Sequence, residues 1–165
     1  MKTIKVEDAL RLQNVLFRTE SEHKEDNILN AFNIPLFKDN EHNEVGTIYK
    51  MQGKHEAIKK GFDYVSYKLK DIYLQVTSLV GEYDNIVVYC ARGGMRSGSI
   101  VNLLLSLGIE VYQLEGGYKA YRNYVLDYLK DIMGIKNFIV VHGLTGVGKT
   151  DLLKLLENKN IDNID

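Results

Sequence analysis

The sequence predicts an α/β fold, an open parallel sheet with helices on both faces. Three observations carry that prediction. Strand-length apolar runs alternate with stretches of helical periodicity along most of the 165 residues. Ile86-Val87-Val88-Tyr89 is apolar throughout, as expected of a central parallel strand covered on both sides. Glycine-rich turns at Gly93-Gly94, at Gly116-Gly117 and from Gly143 to Gly148 each lead from a strand pattern into a helix pattern, which implies right-handed crossovers.

In chain order, residues 3–6 read as a short strand and 7–12 as a short helix with Ala9, Leu10 and Leu12 among charges. Residues 14–17 read as a buried strand with Arg18 at its C-terminal end, and the polar residues 19–27 as a loop or exposed helical turn. Residues 31–36 alternate and end near Pro35, which predicts a strand followed by a turn. Val45, Ile48 and Met51 set a helix over 40–51, against which Gly46 counts. Residues 54–83 carry apolar side chains at offsets of three and four, an amphipathic helix broken near 61–66. Strands at 86–89 and 111–114 are followed by helices at 97–107 and 118–133. Residues 138–141 begin a further strand and 151–158 a further helix. The domain boundary is expected at 134–137, so that residues 1–134 form one domain and 135–165 open another.

Composition narrows the functional classes. An apolar fraction of 45% is enough for a real core. A formal charge of −1 argues against strong nonspecific binding to nucleic acid. The single cysteine makes no internal disulfide and suits a reducing compartment. No apolar run approaches the ~18 residues of a membrane span, and the N-terminal residues lack a signal-peptide apolar region. These features point to a cytoplasmic protein with no membrane partner. His23, His42, His55 and His142 show no metal-ligand spacing, so no metal is expected. Tyr112, Tyr118, Tyr121 and Tyr128 are assigned to core packing rather than to stacking on bases. Lys119 and Arg122, beside the Gly116-Gly117 turn, are read as a solvated helix face, with phosphate contact near the cysteine loop as the alternative.

The chemistry-bearing stretch is Tyr89-Cys90-Ala91-Arg92-Gly93-Gly94-Met95-Arg96-Ser97-Gly98. Cys90 stands at the carboxyl end of a strand, where open α/β sheets bind ligands. Gly93 and Gly94 let backbone N–H groups turn inward as a nest for an anion. The start of the following helix adds its positive end, and Arg92 and Arg96 add full charges. A cation at a helix start opposes the dipole, so Arg96 is read as an anion ligand rather than a structural ion-pair partner. Together these favour a Cys90 thiolate, with a pKa below ~8.5. A nucleophilic sulfur facing an anion cradle suits either acceptance of a sulfur or selenium atom or attack on phosphorus. The Cys-x5-Arg spacing from Cys90 to Arg96 also fits a cysteine phosphatase or arsenate reductase, for which Glu115 or Asp84 would be the candidate general acid.

A second motif, Gly143-Leu144-Thr145-Gly146-Val147-Gly148-Lys149-Thr150, fits the phosphate-loop pattern in full, between a strand and a helix. Backbone N–H groups from Gly143, Gly146, Val147 and Gly148 would cradle phosphate, Lys149 would neutralise it and Thr150 would hold magnesium. Such a loop needs a surrounding sheet and a downstream acidic residue. About 30 residues cannot supply that core, and Asp162 and Asp165 follow closely. A truncated domain is therefore expected, with neither nucleotide nor magnesium bound by this chain alone.

The cysteine loop resembles the active-site loop of a rhodanese domain. More narrowly it resembles that of the tRNA 2-selenouridine synthases, in which a rhodanese domain is fused to a P-loop domain. Glu44-Val45-Gly46-Thr47-Ile48-Tyr49-Lys50 with Gln52-Gly53, Tyr112-Gln113-Leu114-Glu115-Gly116-Gly117-Tyr118-Lys119-Ala120-Tyr121 and the phosphate loop agree with that family. The resemblance implies a rhodanese-like fold, with Cys90 as catalytic nucleophile. Ala91, Arg92, Gly93, Gly94, Met95, Arg96 and Ser97 would be the loop that holds the chalcogen. It implies no cofactor in the rhodanese domain. It implies replacement of the sulfur of tRNA wobble 2-thiouridine by selenium from selenophosphate, with geranyl diphosphate as a further family substrate. Partners would be tRNA and an enzyme supplying selenophosphate. The chain departs from the family at Leu16, where an Asp usually stands two residues before the Arg, and at Asp26-Asn27-Ile28-Leu29-Asn30-Ala31, where Gly-His-Ile-Pro-Gly-Ala is common. Those departures, with the short C-terminal part, keep open a non-catalytic remnant or binding module.

Overall fold

The computed structural model describes residues 2–83, 85–135 and 141–157. The chain divides into two compact units, Met1–Asp127 and Tyr128–Asp165. The first contains a five-stranded sheet, all of whose pairings are parallel: β1 (Thr3–Ile4), β2 (Gln13–Leu16), β3 (Phe32–Asn33), β4 (Ile86–Tyr89) and β5 (Val111–Leu114), in the order β1-β5-β4-β2-β3. Its helices are α1 (Val6–Ala9), α2 (Glu20–Glu25), α3 (Asp39–Gln52), α4 (Lys54–Val65), α5 (Leu69–Glu82), α6 (Met95–Ser106) and most of α7 (Gly117–Ile135). The second unit adds α8 (Lys149–Glu157).

The centre of the sheet is β4, and its sequence explains why. All four residues are fully buried. Ile86 and Val88 point into one apolar layer with Ile72 and Val76 of α5 and Ile100, Val101 and Leu104 of α6. Val87 and Tyr89 point into the opposite layer with Val6 and Ala9 of α1, against which Tyr118, Tyr121 and Tyr124 of α7 pack. A strand buried on both faces cannot alternate, so its run is continuously apolar. The period of two then fixes a consequence for function. Cys90 continues the parity of Ile86 and Val88 and so leaves the sheet on the α6 side.

Several elements differ from expectation. The strand predicted over 31–36 is only Phe32–Asn33, paired with Val15 and Leu16. Pro35 has no N–H to continue the ladder, and Ile34, Leu36 and Phe37 are buried from an irregular segment instead. Helix α3 runs through Gly46 and starts one residue early, where the Lys38 N–H donates to Glu41 Oε2 at 2.8 Å. The break in the long helix is a 3₁₀ turn at Ser66–Lys68. There Lys68 meets the buried Glu41 carboxylate at 2.6 Å and the Leu36 carbonyl at 3.3 Å, tying the turn to the start of α3. Helix α6 begins at Met95, because Gly98 N–H already bonds Gly94 O at 3.0 Å. Met95 and Arg96 therefore belong to its first turn. Tyr112, Tyr118 and Tyr121 pack as expected, whereas Tyr128 is 56% exposed. Asp84, residues 136–140 of the expected boundary and strand, and residue 158 with Asp162 and Asp165 lie outside the described residues. Among the described residues no helix is long and apolar enough to cross a membrane.

Tyr89 ties the sheet to the segment after α2. Its phenol is fully buried and accepts the Ile28 N–H at 3.0 Å, and burial pushes its pKa up to about 12. In Tyr89→Phe the Ile28 N–H would lose its partner. The expected destabilisation is about 1–3 kcal/mol, measured by urea unfolding.

Candidate functional site

The residues after β4 form a loop whose carbonyls are held from behind. Tyr89 O accepts from Phe17 N–H at 2.9 Å, Cys90 O from Tyr118 N–H at 2.9 Å, and Ala91 O from Lys119 N–H at 3.0 Å. Gly93 O and Gly94 O accept from Gln113 Nε2 at 2.7 and 3.2 Å. The donors are the Phe17 N–H just after β2, the first turn of α7 and one buried glutamine on β5. With the carbonyls engaged on that side, N–H groups are left to face Cys90. Those of Arg92 and Ser97 lower its pKa.

Backbone packs directly on backbone here. A Cβ on Gly117 would run into Cys90 O and Gly93 N, and one on Gly93 would lie 2.9 Å from both Gly117 N and Leu114 O. Both residues also have positive φ, 60° and 61°. Glycine is required on both counts. The glycine pair at 116–117 is therefore part of the cysteine loop's construction, and Lys119 contacts the loop through its backbone while its side chain is exposed. Arg122 is exposed as well.

Cys90 is 2% exposed and its Sγ lies 3.2 Å from Ser97 Oγ. Burial pushes the thiol up. The Ser97 hydroxyl, the N–H groups of Ser97 and Arg92 and the Arg96 charge outweigh it, and the thiol sits below its ordinary value. The direction agrees with the expectation from sequence, and local hydrogen bonds stand ahead of the arginine.

Arg96 corrects the reading drawn from the dipole argument. It is half-buried and paired with Glu22 of α2 at 3.2 Å, so it is a structural ion-pair partner. Glu22 also faces Arg18 Nε at 3.5 Å and accepts the Thr19 N–H at 3.0 Å in a reciprocal cap of α2. An acidic residue from another element thus offsets the cation at the α6 start. Burial raises the Glu22 carboxyl, but Thr19, Arg96 and Arg18 together bring it below its ordinary 4.5. Arg92 and Met95 are exposed.

The departures at 16 and 26–31 are accommodated. Arg18 finds its carboxylate in Glu22, donates to Asp26 O at 2.8 Å and stacks over Tyr118 at 5.1 Å. Asn30 takes the left-handed conformation, φ 61°, at the position where the family pattern has glycine, and asparagine is the side chain that tolerates it best. Glu115, a candidate general acid, is exposed and accepts from Thr3 Oγ1 at 2.8 Å. Among the described residues no group of three or more His, Cys, Asp and Glu could hold a metal.

Sequence reasoning missed Gln113 and Glu22. Gln113 is 2% exposed, and its Oε1 has no hydrogen-bond partner. A buried unpaired carbonyl costs about 1–3 kcal/mol, offset here by three contacts from Nε2. The available signal was a polar residue at an inward position of an apolar strand. Glu22 gave less signal, because it lies in a run of charged residues whose pairing is tertiary.

In the second unit, residues 143–150 form a turn leading into α8. Gly146 and Gly148 have φ 83° and 82°. Lys149 Nζ reaches back to Gly143 O at 3.1 Å and Leu144 O at 2.8 Å, so its ammonium lies across the loop. Val147 and Thr150 are exposed, and α8 starts at Lys149, two residues earlier than expected. Two glycines of positive φ, the start of α8 and the Lys149 ammonium are thus neighbours in this turn.

Two outcomes follow from this geometry. Gly117→Ala is expected to lose about 1–3 kcal/mol or more, since neither contacting atom is a flexible side-chain end. Urea unfolding reads the stability, and iodoacetamide reads an altered Cys90 reactivity. Glu22→Gln is expected to cost about 1–3 kcal/mol at neutral pH. A carboxyl depressed in the folded state contributes stability that is complete above pH 4.5 and is lost as pH falls through the lower folded value. Acid unfolding curves should therefore converge for wild type and variant in that acid range.

Residues 15–124 match the Rhodanese-like domain family. Proteins named tRNA 2-selenouridine synthase are also similar to this chain. That of Pseudomonas entomophila is 38% identical over 127 residues, 76% of this chain and 34% of its own length. That of Sulfurovum sp. is 39% identical over 129 residues, 78% of this chain and 35% of its own. The chain thus spans about a third of the curated relatives it matches. The crystal structure of the N-terminal domain of a Clostridium difficile 630 protein, provisionally named an ATP/GTP binding protein, superposes with a TM-score of 0.74 at 76% identity, covering 76% of this chain and 99% of that one. A parallel sheet with helices on both faces and a cysteine loop at the carboxyl end of its central strand accord with that match, and the chain belongs to the rhodanese-like family.

Proposed function

We propose that Cys90 is the nucleophile of a chalcogen-transfer reaction. The observation that carries this is the cradle: a buried sulfur beside the Ser97 hydroxyl at the carboxyl end of β4, its pKa brought below the ordinary thiol value by Ser97 and by the loop backbone at Arg92 and Ser97. Attack on the outer sulfur of a thiosulfate-type donor forms an S–S bond to Cys90, breaks the donor's S–S bond and releases sulfite. The new terminal sulfur carries a negative charge, and amides of the loop are placed to stabilise it. The relatives' names support placing this transfer in the formation of 2-selenouridine in tRNA, with tRNA as partner; the motif resemblance adds 2-thiouridine as the group replaced and selenophosphate as the selenium source. We extend the proposal to residues 143–150 as one part of a site for a phosphate-bearing ligand, a nucleotide or geranyl diphosphate, which these residues do not complete by themselves. The provisional name of the Clostridium difficile relative supports that extension.

Intact mass spectrometry tests the central step. Incubation with thiosulfate should add about 32 Da, one sulfur, removable by a thiol reductant and absent in Cys90→Ser. A folded protein that stays unmodified while hydrolysing an aryl phosphate through Cys90 would replace this proposal with a cysteine phosphatase.

A further inference from the structure

We propose that Gln113 is a positioning residue for Cys90, its carboxamide aiming the Ser97 hydroxyl proton at the sulfur. The inference deepens the transfer proposal and rests on Cys90 as its reacting group.

The placement follows from strand register. Gln113 pairs with Val88, two residues before Cys90, and shares the α6-facing parity of Val111. Its amide therefore lies against the first turn of α6, where Nε2 is 2.7 Å from Gly93 O, 3.2 Å from Gly94 O and 2.9 Å from Ser97 Oγ. Gln113, Ser97 and Cys90 are each at most 2% exposed, so no bulk water competes for these groups.

Donor and acceptor rules then fix every direction. A backbone carbonyl only accepts, so two of them in front of the carboxamide require its nitrogen there and not its oxygen. That nitrogen only donates, so Ser97 Oγ is its acceptor. The one hydroxyl proton of Ser97 is left with two destinations, Cys90 Sγ at 3.2 Å and Gly94 O at 3.4 Å. Gly94 O already accepts from Gly98 N–H at 3.0 Å and lies within reach of Gln113 Nε2. The sulfur is the open acceptor. The chain Gln113 N–H to Ser97 O–H to Cys90 Sγ runs in one sense, and each donor polarises the next. A thiolate fits its end, because it accepts without offering a competing proton.

The test needs no chalcogen donor, so it can fail independently of the transfer proposal. Iodoacetamide alkylation of the single cysteine is followed by intact mass across pH for wild type, Gln113→Leu, Ser97→Ala and the double variant. Ser97→Ala should raise the midpoint of reactivity by about 1 pH unit and Gln113→Leu by about half a unit. In the Ser97→Ala background the Gln113→Leu change should leave the midpoint where it is, because its influence passes through the hydroxyl. A midpoint unmoved by Gln113→Leu, or moved equally in both backgrounds, overturns the proposal. If Gln113→Leu does not fold, the wild-type protein decides. The ¹⁵N–¹H resonances of the Gln113 side-chain amide should titrate with the alkylation midpoint, and resonances flat through it contradict the relay. Persulfide failing to form in a protein that meets these expectations would sink the transfer proposal and leave the positioning role standing.

Discussion

The site depends on the cysteine loop's carbonyls being pulled away from the sulfur. Each backbone carbonyl there would otherwise present a partial negative charge to a thiolate and to any anion it receives. The first turn of α7 engages two, the Phe17 N–H just after β2 engages a third, and Gln113 engages two more. The backbone at Arg92 and Ser97, with the Ser97 hydroxyl, then lowers the Cys90 pKa despite burial. The close approach of Gly117 to Cys90 and Gly93 makes this possible, since a side chain there would separate the two loops.

Charge plays a supporting part. Glu22 gathers Arg18 and Arg96 and caps α2 through Thr19, joining the segment after β2 to the start of α6. The pairing lowers the free positive charge near Cys90, so the cradle relies chiefly on neutral amide dipoles. Fixed dipoles in a buried site need no reorganisation when charge arrives. An ion pair that must open would add a cost to binding. Arg96, which the motif alone presents as an anion ligand, is paired with Glu22 across to α2.

Much of the fold was legible in the sequence. Ile86–Tyr89 announced a central strand because burial on both faces leaves no polar position, and the strand bears this out. Cys90 with its glycines announced a loop at the carboxyl end of the sheet, and the sulfur lies there within hydrogen-bonding reach of Ser97. Less legible were features set by tertiary pairing. The β3 strand shrank to two residues because Pro35 ends its ladder. The ion pairing of Arg96 depends on Glu22, 74 residues away in sequence. Gln113 stood out only as a polar residue at an inward position of an apolar strand, and no local rule says which carbonyl a buried amide faces.

The most direct test of the account is a crystal structure of the protein after thiosulfate treatment. A persulfide on Cys90, with its outer sulfur within hydrogen-bonding distance of the N–H groups of residues 92–97, is the predicted result. An unmodified Cys90, or an outer sulfur turned away from those amides, would contradict it.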